Sequence, residues 1–285
     1  MSVVYKTEAG GHEVERRYRE LLEHWPVPSE HRRVPTRDGE TFVVVSGPES
    51  APPLVLLHGA GGNALTWASA VPSLARHFRV YVVDVIGEPG LSAPSRPALE
   101  TEEHVLWLDD VMDALGLVSV SLAGVSLGGR LALDYATRRP DRVDRLVLLN
   151  PAGIGKRKTA ILFKLVFLGM LGDWGMRRNL MAAGGAELAD STAAEFVMLV
   201  FKHFKPRFEQ IPLFDDDTLR GLRIPILVLL GARDTMIDAN GTQRRLEHAV
   251  PHAEVVVLPE AGHFIGGEAP QVLDFLLAQE PKRAR

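Results

Sequence analysis

The chain has 285 residues, 46% of them hydrophobic and 24% charged, with a formal net charge of −4 and no cysteine. That balance is that of a globular protein able to bury a sizeable core, as one large domain with an insertion or as two small ones. The lack of cysteine excludes disulfides, thiolate metal sites and a cysteine nucleophile together, and no large basic patch points to nucleic acid.

The first residues, Met1 to Glu8, lack the charged and then apolar plan of a signal peptide, so a cytoplasmic location is expected. Residues 8–25 place Val14, Tyr18, Leu21 and Leu22 at helical spacing among alternating charges, and Pro26 and Pro28 stop the pattern, which predicts an amphipathic N-terminal helix laid on the domain. Two short runs, 32–36 and 41–46, flank Asp38-Gly39, a hairpin signal. Strand and helix then alternate, with strands predicted at 54–57, 79–83, 119–123 and 143–149 and helices at 63–76, 102–115 and 127–139. The strands stay apolar throughout instead of alternating with polar residues. Each is followed by a helix, which predicts an α/β architecture with a mostly parallel sheet covered on both faces.

After Asn150-Pro151 the rhythm stops until about Leu222. Residues 156–170 and 193–204 are apolar with no strand beside them, and both flanks return to the strand pattern. This predicts a helical cap of residues 152–222 inserted into a core formed by 1–151 and 223–285. The longest apolar stretch, 160–171, is interrupted by Lys164 and is too short to span a bilayer. The rhythm resumes with a strand at 224–230, a helix at 242–249, a strand at 254–258 and a helix at 269–279.

One stretch carries chemistry. Gly124-Val125-Ser126-Leu127-Gly128 sits between a predicted strand and a predicted helix. In a turn that sharp a serine is forced into a strained conformation that exposes its hydroxyl above the sheet. The pentapeptide alone also fits an ordinary glycine-rich turn with a capping serine. A serine nucleophile needs a base, and the base an orienting acid. Asp234 follows the strand ending at Leu230, and His263 follows the strand ending at Leu258, so both fall at strand ends in the order serine, acid, histidine. Asp234 also fits a helix cap and His263 a surface loop. His248 and His252 read as solvated positions, and Trp67 and Trp107 as packing residues. Asp215-Asp216-Asp217 reads as a helix start or solvated linker rather than a metal site. Gly59 to Gly62, after the strand 54–57, offers backbone N–H groups for an oxyanion, with Ala60 and Leu127 as the named donors. The same residues fit the dinucleotide fingerprint, with Asp84 where a ribose-binding acid belongs. That alternative leaves the serine turn, Asp234 and His263 unused.

The motifs His58-Gly59-Ala60-Gly61-Gly62, Asp84 to Ser92, Gly124 to Gly129, Gly231-Ala232-Arg233-Asp234 and Gly262-His263 resemble those of the α/β-hydrolase superfamily over roughly residues 30–280. The resemblance implies Ser126 as nucleophile, His263 as base, Asp234 as its orienting acid, and the Ala60 and Leu127 amides as oxyanion donors. One departure is visible: Gly87-Glu88-Pro89-Gly90 has two residues between its glycines where many relatives have one, in a loop that borders the pocket. A serine at the turn argues against the dehalogenase and epoxide hydrolase branches, which use aspartate there. The expected activity is hydrolysis of small, largely apolar carboxylic esters with no cofactor or metal. Carbon–carbon bond hydrolases, cofactor-free perhydrolases or haloperoxidases, and non-catalytic small-ligand receptors remain as alternatives. Phe163, Phe167, Phe196, Phe201 and Phe264 are candidate substrate contacts, although apolar residues at helical spacing equally pack a core. Leu168, Met170, Met198 and Phe204 belong to the same apolar set.

Overall fold

A computed structural model describes residues 4–156, 192–207, 209–265 and 270–278. The apolar runs form eight strands: β1 (Ser29–Thr36), β2 (Gly39–Ser46), β3 (Pro53–Leu57), β4 (Arg79–Val83), β5 (Val120–Val125), β6 (Val143–Leu149), β7 (Ile226–Gly231) and β8 (Glu254–Leu258). They make one sheet in the order β1-β2-β4-β3-β5-β6-β7-β8. β1 and β2 form the expected hairpin around Asp38-Gly39, with Thr36 opposite Gly39, and β2 is antiparallel to β4; all later neighbours are parallel. β1 reaches back to Ser29 and contains Pro35, which an edge strand tolerates because one side needs no ladder hydrogen bond.

Within each central strand alternate residues enter opposite layers. Val55, Leu57, Tyr81, Val83 and Leu122 pack with Trp107, Met112 and Leu131 on one face, while Leu54, Leu56, Val80, Val82 and Ala123 pack with Tyr18, Trp67 and Phe196 on the other. Period-2 alternation with apolar residues on both sides is what a doubly covered parallel sheet requires. Each fully buried Leu or Val contributes about 1.5–3 kcal/mol of transfer free energy. Trp107 also satisfies its ring N–H by donating to Thr41 Oγ1 at 2.8 Å.

The helices α1 (Glu8–Leu22), α3 (Glu103–Ala114) and α4 (Leu127–Arg138) match the sequence pattern to within a few residues. The single helix expected at 63–76 is a correction. A 3₁₀ turn, Ala64–Trp67, capped by Asn63 is followed by a separate short helix, α2 (Val71–Leu74). Pro72 is the cause: it lacks the amide that would continue a helix from the preceding turn, but it is acceptable in the first turn of a new one. After β6 in the chain come helices Thr192–His203, Asp216–Arg220, Ala239–Ala249 and Pro270–Leu277. Asp215 caps the second of these, accepting the Thr218 amide at 2.8 Å, as its helix-start reading anticipates. The N-terminal segment is stitched to the chain that follows Thr192–His203: Lys6 N donates to His203 O at 2.7 Å, Lys205 N donates to Val4 O at 2.8 Å, and Tyr5 pairs with Phe204. Among the described residues no helix is long and apolar enough to cross a membrane.

Candidate active site

β5 ends at Val125 and α4 starts at Leu127, so the whole change of direction falls on Ser126, with φ 51° and ψ −110°. A non-glycine residue in that region costs on the order of 1–3 kcal/mol. Backbone bonds hold it there: Ser126 N donates to Leu149 O at 3.0 Å, and the amides of Arg130 and Ala152 donate to Ser126 O at 3.0 and 3.1 Å. The turn closes only because its flanks have no side chains. A Cβ at Gly124 would strike the Gly128 carbonyl, and one at Gly128 would strike the carbonyls of Leu57 and His58. The serine is therefore a strained turn residue, and the capping alternative falls away, since its side chain makes no cap hydrogen bond.

Asp234 follows β7 and His263 follows β8, the second and third strands beyond β5 across the sheet. Asp234 Oδ2 lies 2.7 Å from His263 Nδ1, and both residues are buried. Asp234 Oδ1 accepts the amides of Met236 and Ile237 at 2.6 and 3.0 Å. Burial by itself raises the Asp234 carboxyl, but the hydrogen bond and charge of His263 and the two amides outweigh it and hold the group below the ordinary carboxylate range. An acid ionised at neutral pH beside Nδ1 favours the imidazole hydrogen there and leaves Nε2 as the acceptor. Among the described residues no hydrogen bond joins Ser126 Oγ to His263; in substrate-free enzymes a nucleophile–base contact is often long or poorly aligned.

The link between the two halves is Asn150, whose role sequence reasoning missed. It sits at the end of β6 with φ 42°. Its Nδ2 donates to the carbonyls of Gly262 and His263 at 3.0 and 2.9 Å, and its Oδ1 accepts the Gly231 amide at 2.9 Å. One side chain thus fixes the loop carrying the histidine and the start of the loop carrying the acid. Its backbone directly follows Leu149, to which Ser126 is bonded. The available signal was the residue type: asparagine at a strand end tolerates positive φ and offers both a donor and an acceptor.

The glycine loop after β3 lies against the serine, since a Cβ at Gly59 would sit 3.4 Å from Ser126 Cβ. His58 anchors it. His58 Nε2 accepts the Val85 amide at 2.9 Å, which leaves the hydrogen on Nδ1 to be donated to Gly59 O at 2.9 Å. Burial pushes this ring down to about 4, so it stays neutral. Leu127 is the first residue of α4, where amides have no helical partner. Among the described residues neither the Ala60 nor the Leu127 amide donates to a protein acceptor.

The dinucleotide alternative meets a chemical obstacle in the same loop. The Gly61 and Ala64 amides, which would face a pyrophosphate, donate instead to Glu88 Oε2 at 2.7 Å and Asp84 Oδ1 at 2.8 Å. Asp84, placed by sequence as a ribose acid, is buried and accepts Tyr18 Oη–H at 3.0 Å and the Leu91 amide at 2.9 Å. Burial raises its carboxyl to about 6. Two carboxylates in the cradle repel a phosphate, and the loop enters a four-residue 3₁₀ turn rather than a helix.

Of the candidate substrate contacts, Phe163 and Phe167 lie outside the described residues, as do Leu168 and Met170. Phe196 is stacked on Tyr18 with ring centres 6.0 Å apart and belongs to the core. Phe201 reaches the donor loop, its Cζ lying 3.7 Å from where a Gly61 Cβ would be. Phe264 is 51% exposed and meets the His263 ring edge-on at 5.7 Å. A cavity of about 500 Å³ between α4 and the 212–221 segment, lined by Arg130, Asp134, Phe214 and Asp215 among others, touches none of the three residues of the serine, histidine and acid set.

Comparison with known proteins identifies the fold family. Residues 52–207 match the family model described as alpha/beta hydrolase fold. A Bacillus subtilis protein named uncharacterized carboxylesterase nap is 33% identical over 89% of this chain and 87% of its own length. The crystal structure of carboxylesterase CesB (YbfK) from the same organism superposes with a TM-score of 0.84 at 28% identity, covering 94% of this chain and 99% of that one. A 2-hydroxy-6-oxo-2,4-heptadienoate hydrolase of Pseudomonas putida is 30% identical over 80% of this chain and 90% of its own length.

Proposed function

The chain belongs to the alpha/beta hydrolase family, as a carboxylic ester hydrolase, and we propose that it cleaves small, largely apolar esters through an acyl-enzyme built on Ser126. The observation that carries this is the buried 2.7 Å pair of His263 and Asp234, carried by loops that leave the same edge of the parallel sheet as the strained Ser126 turn. Ser126 Oγ attacks the ester carbonyl while His263 Nε2 takes its proton. The carbonyl oxygen becomes an oxyanion facing the amides of Ala60 and Leu127. Collapse breaks the carbon–oxygen bond to the alcohol, which leaves with the proton from His263. Water then attacks the acyl-enzyme, giving its proton to His263, and the acid departs as that proton returns to Ser126. Asp234 stays ionised throughout and steadies the imidazolium.

We assign the helical cap to residues 152–222, with Phe201 at the donor loop and Phe264 at the histidine as apolar contacts for the substrate. The test is Ser126→Ala, expected to abolish turnover of p-nitrophenyl acetate and butyrate while the thermal transition is kept, together with fluorophosphonate labelling of the wild type at Ser126. Wild-type-like turnover in the variant would remove the proposal. The Pseudomonas relative favours one competing activity on the same residues, carbon–carbon bond hydrolysis. Faster turnover of a vinylogous diketone acid than of any ester in an acyl-length series would select it.

A further inference from the structure

The loop after β4 contains a group that the acyl-enzyme chemistry leaves unused. Glu88, in the Gly87-Glu88-Pro89-Gly90 departure, is 2% exposed. A carboxylate is costly to bury unless it is paired and hydrogen-bonded. Its Oε2 accepts the Gly61 amide at 2.7 Å, and its Oε1 lies 3.1 Å from Arg207 Nε. The Arg207 side chain is itself buried, and its Nη1 donates to Pro97 O at 3.0 Å and to Glu209 Oε1 at 2.7 Å. A second strap runs alongside. Arg96 donates from Nε to Gly87 O at 2.8 Å and from Nη2 to Lys205 O at 2.7 Å, with its guanidinium 5.1 Å above the Phe204 ring. The loop is therefore tied on one side to the glycine loop and on the other to the 204–207 segment that follows helix Thr192–His203.

A buried ion pair by itself is weak evidence of a stabilising role, because apolar residues of similar volume often do as well. What this pair adds is a fixed acceptor for one particular amide. Gly61 has φ 73° and immediately follows Ala60, and the Gly59 end of the same turn abuts Ser126. Gly59 O, in the same peptide plane as the Ala60 N–H, is held by His58 Nδ1 at 2.9 Å, so with the Gly61 amide held by Glu88 the two planes that meet at Cα of residue 60 are pinned from both sides.

We propose that Glu88 is a positioning residue for the oxyanion hole: its carboxylate fixes the Gly61 amide, and thereby the direction of the Ala60 N–H, while Arg207 holds the carboxylate from the inserted segment. This assignment rests on Ser126 as nucleophile and Ala60 as donor, as proposed above. It makes the donor loop and the returning end of the insertion one mechanical unit, so that displacement of the 204–207 segment reaches the oxyanion through two side chains.

The test compares Glu88→Gln, Glu88→Asp and Glu88→Ala by steady-state hydrolysis of p-nitrophenyl butyrate, with end-point fluorophosphonate labelling of each protein. Glutamine keeps the reach and a carbonyl acceptor for Gly61 and gives up the charge; aspartate keeps the charge for Arg207 and falls one methylene short of Gly61. The expected result is that Glu88→Gln retains kcat within about 3-fold, whereas Glu88→Asp and Glu88→Ala lose about 10- to 100-fold in kcat with KM nearly unchanged, the range for a misaligned oxyanion donor. End-point labelling of Ser126 stays stoichiometric in all of them. The opposite order of Asp and Gln, equal kcat in all four proteins, or a loss confined to KM overturns the proposal. If the shorter variants do not fold, Arg207→Lys carries the test: it keeps the charge without the fork that spans Glu88, Pro97 and Glu209, and is expected to lower kcat several-fold at unchanged KM. Wild-type kcat in Arg207→Lys is then the overturning result. Absence of labelling in the wild type sinks the nucleophile assignment first and the positioning role with it.

Discussion

Replacing Asp234 by asparagine separates the geometry of the acid from its charge. Oδ1 of Asp234 already accepts two amides, those of Met236 and Ile237, and an asparagine oxygen takes over that place with little change of shape. The amide nitrogen then occupies the position of Oδ2, 2.7 Å from His263 Nδ1. Being a donor, it forces Nδ1 to accept, so the ring hydrogen moves to Nε2, the atom that must take the proton of Ser126. The expected loss is about 10⁴-fold in kcat, or roughly 5–6 kcal/mol of transition-state stabilisation, the scale for a triad acid turned into an amide. Stability falls by less, about 1.5–3 kcal/mol for one charge-assisted hydrogen bond in the buried pair. Steady-state hydrolysis of p-nitrophenyl butyrate and a thermal melt read the two quantities separately. Adding Asp234→Asn to Ser126→Ala, by contrast, should cause almost no further loss, since residues that act as a unit are non-additive. A folded Asp234→Asn protein within tenfold of wild-type kcat would refute the assignment of Asp234 as the orienting acid.

Asn150→Ala removes both donations to the histidine loop, strands the Gly231 amide and places alanine at φ 42°. A loss of about 2–4 kcal/mol is expected from the buried amide and the left-handed backbone, read from the urea midpoint, with a kcat loss as the His263 loop loosens; unchanged values of both count against the stitch. His104 is buried, with Nδ1 unpaired among the described residues, and burial followed by the charges of Arg207 and Arg130 pushes its pKa down to about 3. The unfolded chain therefore takes up this proton first, near pH 6.5, and stability is lost as the pH falls from there toward the folded value, by about 3 kcal/mol at pH 4. His104→Leu should accordingly keep more of its melting temperature than wild type on moving from pH 7 to pH 4, and parallel pH profiles for the two proteins would contradict this.

What was legible in the sequence was whatever depends on near neighbours. The serine turn could be read from five residues because its sharpness excludes side chains two positions before and two after, and Gly124 and Gly128 are glycines for that local reason. Asp234 and His263 could be read because parallel strands deliver their following loops to one edge, so position at a strand end stands in for proximity. Phe196 shows where that logic stops: its helical spacing is the same whether it faces substrate or core, and only its stacking on Tyr18, far away in the chain, decides. Glu88 and Asn150 lie beyond it for the same reason. Glu88 bonds to residues 27 and 119 positions away, and Asn150 to residues 81, 112 and 113 positions away, so neither has a spacing that a single sequence displays. Each was nevertheless visible as an irregularity, the first as an extra residue between two glycines and the second as an asparagine at the end of a strand. The chemical groups are thus carried by local motifs, and the groups that aim them are carried by the departures from those motifs. In this chain both departures point inward: Glu88 toward the loop that would receive the oxyanion, Asn150 toward the loop that holds the base.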